Sequence, residues 1–236
     1  MAVAENDPRI VAETVTFKGA SGDVKAYLVK PKGAAKGPGI MLIHENRGLV
    51  PHIKDVARRA ATEGFVVLAP DFLTPAGGTP ADESKGPDVV KTLDMGKVKG
   101  DGLAAVDYLR KRSDCNGKVS TVGFCWGGAL SNAIAVSDPK LDAGVVFYGR
   151  SPEAADVPKI KAKMMLHYGS KDANINPTVP PYEEALKANK KDYQLFMYEG
   201  AGHAFHNDTT PERHHAEHSK TAWKRTMDFL KKNLAA

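Results

Sequence analysis

Apolar positions recur along the chain with two periods, near two and near 3.6 residues, and the switches between them outline the elements. Residues 10–17 and 24–29 alternate apolar and polar positions around Gly19-Ala20-Ser21-Gly22, which predicts an antiparallel hairpin. Residues 39–43 form a short apolar run bounded by Gly/Pro and a polar turn, the pattern of a strand buried on both faces. Ile53, Val56, Ala57 and Ala60 recur at helical spacing, and Gly64 closes that helix. A second buried strand is predicted over 65–69, stopped by Pro70. Residues 73–97 are rich in Pro, Gly and charge and carry little periodicity, so they read as a long excursion of the kind that forms lids or binding loops. Beyond them, helices are expected at 103–109, 127–136, 181–188 and 223–234. Strands are expected at 118–122, 143–148, 163–168 and 193–198. The expectation is an α/β fold with a mostly parallel sheet, an N-terminal antiparallel hairpin and helices on both faces, in one domain over 1–236.

Composition changes this picture little. The 236 residues are 42% hydrophobic and 26% charged, ordinary globular usage, which argues against disorder. Net charge is +5, but the basic residues are scattered without interleaved aromatics, so no nucleic-acid partner is expected. No apolar run approaches 18 residues, and no membrane partner is expected. The N-terminus shows no basic region followed by an apolar one, so a cytoplasmic chain is expected, or a periplasmic or secreted one if a leader has been removed. Two cysteines, Cys115 and Cys125, are too few for a disulfide scaffold.

The chemistry concentrates in Gly123-Phe124-Cys125-Trp126-Gly127-Gly128, between a predicted strand and a predicted helix. This is a G-x-nucleophile-x-G turn with Cys in the nucleophile position. Such a turn is sharp enough to exclude β-carbons two residues either side, and it sets the thiol at a helix N-terminus. By chance, that spacing of glycines around a cysteine arises on the order of once per thousand chains. The alternative is a buried, inert thiol. The helix dipole favours an anion there by roughly 0.3–1 kcal/mol, up to ~2. That is too little to hold a thiolate at neutral pH, so a base and an orienting acid are needed.

In chain order the acid follows the nucleophile and the base comes last, each after a strand. Asp172 follows strand 163–168, and His203 follows strand 193–198, at the carboxyl ends where sites on such sheets are built. The competing readings are a solvent-facing turn aspartate and a packed loop histidine. After strand 39–43 comes His44-Glu45-Asn46-Arg47-Gly48, in which Asn46, together with Trp126, is a candidate backbone N–H donor to an oxyanion. Glu45 would then direct a carboxylate near Cys125. His44-Glu45 is not a zinc motif, because Gly48 stands where a second histidine is needed. His206, His214, His215 and His218 invite a metal reading through the i,i+4 pair His214/His218, but their polar surroundings favour a solvated helix start, and no metal is expected. Cys115, after Ser113-Asp114 in a polar turn, is expected to be inert.

These residues together resemble the dienelactone hydrolase (carboxymethylenebutenolidase-like) family of α/β-hydrolases, from the first hairpin to the last helix. The resemblance implies a Cys125–Asp172–His203 triad and a carboxylate, matching Glu45, that helps generate the thiolate. It also implies hydrolysis of small esters or lactones through a thioester acyl-enzyme, with no cofactor, in a monomer or small homo-oligomer. One departure bears on substrate. The family's carboxylate-binding arginines have no counterpart in 73–97 or directly after His203, where arginine first appears at Arg213. Arg47 is the candidate substrate-binding cation, or else a structural ion-pair partner. Two other readings compete: a non-catalytic ligand-binding or thiol-sensing protein on a hydrolase fold, and an acyl hydrolase acting on polysaccharides or peptides.

Overall fold

In the computed structural model, residues 2–33 and 36–235 are described. The eight strands are β1 (Ile10–Gly19), β2 (Gly22–Pro31), β3 (Gly37–Ile43), β4 (Val66–Pro70), β5 (Cys115–Phe124), β6 (Ala143–Phe147), β7 (Lys163–Gly169) and β8 (Tyr193–Tyr198). They form one mixed, mostly parallel sheet in the order β1-β2-β4-β3-β5-β6-β7-β8. The helices are α1 (Pro51–Thr62), α2 (Gly86–Lys91), α3 (Met95–Arg110), α4 (Trp126–Ser137), α5 (Val179–Ala188) and α6 (Ala216–Leu234). The described residues divide into two compact units, one within 2–121 together with 235, the other 122–234.

In the first unit, β1 and β2 pair antiparallel with Gly19 opposite Gly22, so the hairpin turn is Ala20-Ser21. Gly22 takes a positive φ of 108°, a conformation open to glycine without the cost of a β-carbon. The buried carboxylate of Asp101 in α3 accepts the Ser21 N–H (2.8 Å) and hydroxyl (2.7 Å), tying the turn to that helix. β2 was expected to alternate, yet residues 26–29 are all buried. It runs antiparallel to β4 as well as to β1, and an interior strand is covered on both faces. α1 opens on Pro51, whose missing N–H has no helical role there. It buries Ile53, Val56, Ala57, Ala60 and Ala61, the face its spacing predicts.

The 73–97 segment departs from expectation. It holds two short 3-10 turns, α2 and the first turn of α3. Asp94 caps α3 by accepting the Gly96 and Lys97 N–H groups, which offsets the poor helix propensity of Gly96, Gly100 and Gly102. At the excursion's start, Asp71 accepts from Leu73 N, Thr79 N and Thr79 Oγ1. Cys115 also differs from expectation: it begins β5 rather than lying in a turn, is 4% exposed, and faces Gly39 of β3.

In the second unit, β6 and β7 and then β7 and β8 pair in parallel. α4 buries Leu130, Ile134 and Ala135, and α6 buries Ala222, Thr226, Met227, Phe229, Leu230 and Leu234. An aromatic series fills the interior: Phe124 stacks on Phe147 at 4.7 Å, the His167 ring lies tilted 4.5 Å from Phe147, and Phe205 lies 5.1 Å from Tyr198. At roughly 25 cal/mol per Å2 and 150–250 Å2 per ring, each buried aromatic contributes several kcal/mol before entropy is counted.

Candidate active site

Cys125 sits between the end of β5 and the start of α4 with φ 55° and ψ −116°. A non-glycine residue in that region costs of order 1–3 kcal/mol and persists only where its surroundings enforce it. Here the enforcement is visible. The Cys125 N–H donates to Phe147 O at 2.9 Å, and Cys125 O accepts from Gly128 N and Ala129 N. A β-carbon on Gly123 would run into the carbonyl of Gly127, and one on Gly128 would lie 2.8 Å from the Gly149 Cα. Gly123, one flank of the sequence pattern, and Gly128 are thus required by backbone contact. Trp126 opens α4, where the first N–H groups have no intrahelical acceptor.

The two loops that follow β7 and β8 are fastened to each other. Ser170 N–H donates to Tyr198 O (3.0 Å), Lys171 N–H to Ala201 O (2.9 Å), and Gly200 N–H to Ser170 Oγ (2.8 Å). Gly169 lies so close to Ala201 and Gly202 that a β-carbon would be about as near as 2.5 Å to a carbonyl. Asp172 comes from the first loop and is 3% exposed. His203 comes from the second and its side chain keeps 32% exposure. His203 Nδ1 is 2.5 Å from Asp172 Oδ2, and its Nε2 is 3.0 Å from Cys125 Sγ. The other carboxylate oxygen of Asp172 accepts the Ile175 N–H at 3.2 Å.

Burial of the His203 ring works to lower its pKa, but the hydrogen bonds to Asp172 and Cys125 and their charges outweigh it and raise it to about 10. In that state both ring nitrogens donate, Nδ1 to the carboxylate and Nε2 to the sulfur. The arrangement can therefore hold a proton beside the sulfur, release it, and take it back.

Sequence reasoning missed the support behind this group. His167, inside β7, has Nδ1 3.0 Å from Tyr198 Oη and Nε2 3.0 Å from Thr226 Oγ1. Burial, with Arg225 nearby, lowers its pKa to about 3, so it is neutral. Thr226 Oγ1 donates to Ala222 O, so it accepts from Nε2–H, and Nδ1 accepts from the tyrosine hydroxyl. This chain joins β7, β8 and α6 below the two loops. Its only mark in the sequence is one polar residue in an apolar strand. His206 packs 5.1 Å from Phe124 and from Phe147 and 5.5 Å from Trp223. His214 precedes α6, so it shares no helical face with His218. His218 Nε2 pairs with Glu199 O (2.9 Å), and its ring stacks on His215 at 4.0 Å. Among the described residues no three His, Cys, Asp or Glu side chains form a metal-binding group.

The turn after β3 belongs to the first unit. His44 is fully buried; its Nδ1 is 2.5 Å from Glu45 O and its Nε2 accepts the Phe72 N–H at 3.2 Å. Burial lowers the His44 pKa, so the neutral ring donates at Nδ1 and accepts at Nε2. Gly48 N–H donates to Glu45 O, Leu49 N–H donates to Thr79 Oγ1 (2.7 Å), and Gly86 abuts the Arg47 backbone. The excursion is thus tied to this turn. Glu45 is 9% exposed, Asn46 half-buried and Arg47 exposed.

A strained cysteine elbow after β5, with an aspartate on the loop after β7 and a histidine on the loop after β8 of a mostly parallel sheet, is the arrangement of an α/β-class hydrolase. The sequence profile of the dienelactone hydrolase family matches residues 24–234, and the chain belongs to that family. Among its relatives is a provisionally named carboxymethylenebutenolidase of Methylorubrum extorquens, 30% identical, over 97% of this chain and 84% of that protein. The Aquifex pyrophilus protein named usf is 33% identical over 95% of this chain and 100% of its own length. A solved structure of a provisionally named dienelactone hydrolase from Klebsiella pneumoniae superposes with a TM-score of 0.81 at 27% identity, covering 94% of this chain and 99% of that one. Among the described residues, no helix is long and apolar enough to cross a membrane.

Proposed function

We propose that the protein hydrolyses small carboxylic esters or lactones through a thioester acyl-enzyme on Cys125. The observation that carries this is the continuous contact from Cys125 Sγ through both nitrogens of His203 to Asp172. In this reading the reacting form pairs a Cys125 thiolate with a protonated His203. The thiolate attacks the carbonyl carbon, and the resulting oxyanion needs backbone N–H donors, for which Trp126 after the nucleophile and Asn46, by its place after β3, are the candidates. As the tetrahedral intermediate collapses, the C–O bond to the leaving group breaks and the departing oxygen takes the proton from His203 Nε2. Neutral His203 then draws a proton from water, whose oxygen attacks the thioester. The C–S bond breaks, the product leaves as the carboxylic acid and gives its proton to bulk solvent, and the thiolate–imidazolium pair returns. Asp172 keeps the imidazole oriented and stabilises its charged form. Glu45 enters the reading through its place after β3 and the family resemblance, as a base that helps form the thiolate. Arg47 is the candidate contact for a charged substrate.

Hydrolysis of para-nitrophenyl acetate and butyrate by the wild type and by Cys125→Ala tests the proposal. Turnover that disappears in the variant supports it. Turnover retained in a folded Cys125→Ala protein overturns it. An inert wild type whose Cys125 oxidises readily would support the thiol-sensing reading instead.

A further inference from the structure

Tyr148 stands immediately after β6 with a φ of 40°. A bulky aromatic residue rarely adopts that conformation, and such outliers gather where a site dictates the backbone. Its N–H donates to His167 O at 2.8 Å, continuing the β6–β7 ladder by one residue before the chain turns. The turn delivers the ring, 1% exposed, into contact with the groups flanking the candidate triad. The ring centroid lies 5.2 Å from that of His203, tilted by 59°. It lies 6.3 Å from Phe124, the residue before Cys125, and meets Phe205, two residues after His203, edge-on at 5.5 Å. On either side of Tyr148, Phe147 O holds the Cys125 N–H, and Gly149 touches the Gly128 backbone.

We propose that Tyr148 is a positioning residue for His203, its ring fixing the imidazole plane so that Nδ1 and Nε2 meet Asp172 and Cys125 together. The proposal rests on the reading of Cys125, His203 and Asp172 as the triad. An imidazole held by one hydrogen bond at each nitrogen can still rock about the line joining its partners. A tilted aromatic neighbour at van der Waals distance restricts that motion without competing for either nitrogen. A relaxed backbone at Tyr148 would carry the ring elsewhere, so the positive φ is what sets the ring against His203.

The test compares Tyr148→Leu with Tyr148→Phe, measuring kcat and KM for para-nitrophenyl acetate from pH 6 to 11, with Cys125→Ala as control. Tyr148→Leu is expected to lower kcat about 100-fold, the consequence of roughly 1 Å of misplacement, with KM changed less than twofold. The alkaline limb of kcat/KM, where His203 loses its proton, is expected to move down by about one pH unit as its hydrogen bonds loosen. Tyr148→Phe keeps the ring and is expected to retain kcat within threefold. Where Tyr148→Leu does not fold, judged by circular dichroism, Tyr148→Met carries the same comparison. A ring-less variant within threefold of wild type with an unmoved alkaline limb overturns the proposal. So does an equal loss in Tyr148→Phe, because the hydroxyl and not the ring would then act. Activity that survives in Cys125→Ala overturns the triad reading itself, a result independent of the ranking of the Tyr148 variants.

Discussion

Replacing Asp172 with asparagine isolates the charge on the acid while keeping its shape. Asp172 uses both oxygens: Oδ1 accepts the Ile175 N–H at 3.2 Å, and Oδ2 meets His203 Nδ1 at 2.5 Å. The Ile175 N–H requires an acceptor, so the asparagine amide turns its oxygen to that group and its NH2 to His203. A facing donor forces Nδ1 to accept, which leaves the proton of a neutral ring on Nε2. Neutral His203 then has no lone pair to take a proton from water. A tautomer error of this kind costs about 10³–10⁴-fold in kcat, equivalent to about 4–5.5 kcal/mol of barrier. Stability moves less. A hydrogen bond to a charged group contributes about 1.5–3 kcal/mol. Because the His203 side chain is 32% exposed, solvent screening leaves ~1 kcal/mol, or about 2–4 °C in Tm for a chain of this size. The pH dependence carries a sign. The fold raises His203 to about 10 from an ordinary 6.5. Its contribution to stability is therefore complete below pH 6.5 and is lost as pH rises through 10. Wild-type Tm is expected to fall between those limits, and the fall is expected to shrink in Asp172→Asn. Ester kinetics and thermal melts from pH 6 to 10.5 measure both effects. A folded Asp172→Asn protein with kcat within threefold of wild type and the same alkaline fall in Tm would refute the reasoning.

Iodoacetamide applied to the native protein is expected to label Cys125 and leave the buried Cys115 untouched until unfolding; peptide mass spectrometry that finds Cys115 labelled first, with activity lost in step, would sink the nucleophile assignment. Gly123→Ala sets a β-carbon against the Gly127 carbonyl, so it is expected to cost several kcal/mol and most of the esterase activity, and a urea midpoint equal to wild type would contradict the elbow geometry. Glu45→Gln replaces a base with a neutral amide and is expected to slow Cys125 alkylation at pH 7 and to lower kcat/KM; unchanged values of both would make Glu45 a turn residue only. An unpaired buried carboxylate costs several kcal/mol, so neutral short esters are expected to outperform a carboxylate-bearing dienelactone, and Arg47→Ala to weaken only the latter. A strong preference for dienelactone that survives Arg47→Ala would show that another cation serves the pocket.

How much of this was legible in the sequence depends on the range of the cause. The periods of two and 3.6 expose elements whose burial repeats locally, and every strand and every long helix was anticipated from them. The glycine before the cysteine likewise reports a local fact, that a β-carbon on Gly123 would meet the Gly127 carbonyl within the same turn. The order nucleophile, acid, base made Cys125, Asp172 and His203 the candidates, and they lie after β5, β7 and β8, since an α/β sheet gathers its loops at one end. Other features depended on partners far away in the chain. α3 begins at Met95 although its glycines hide the helical period, since a single Asp94 cap and burial against β1 and β3 set its start. Cys115 lies in a strand because the chain resumes pairing earlier than the polar pattern suggests. The 2.5 Å and 3.0 Å contacts of His203, the stacked loops that fix them, the neutral His167 bridge and the left-handed Tyr148 have no local signature. Each arises when residues twenty to eighty positions apart are brought within van der Waals range. Which residue types stand at the strand ends is written in the order of the chain. Tertiary packing alone decided their distances, the proton on His203 and the strain that holds the site in place.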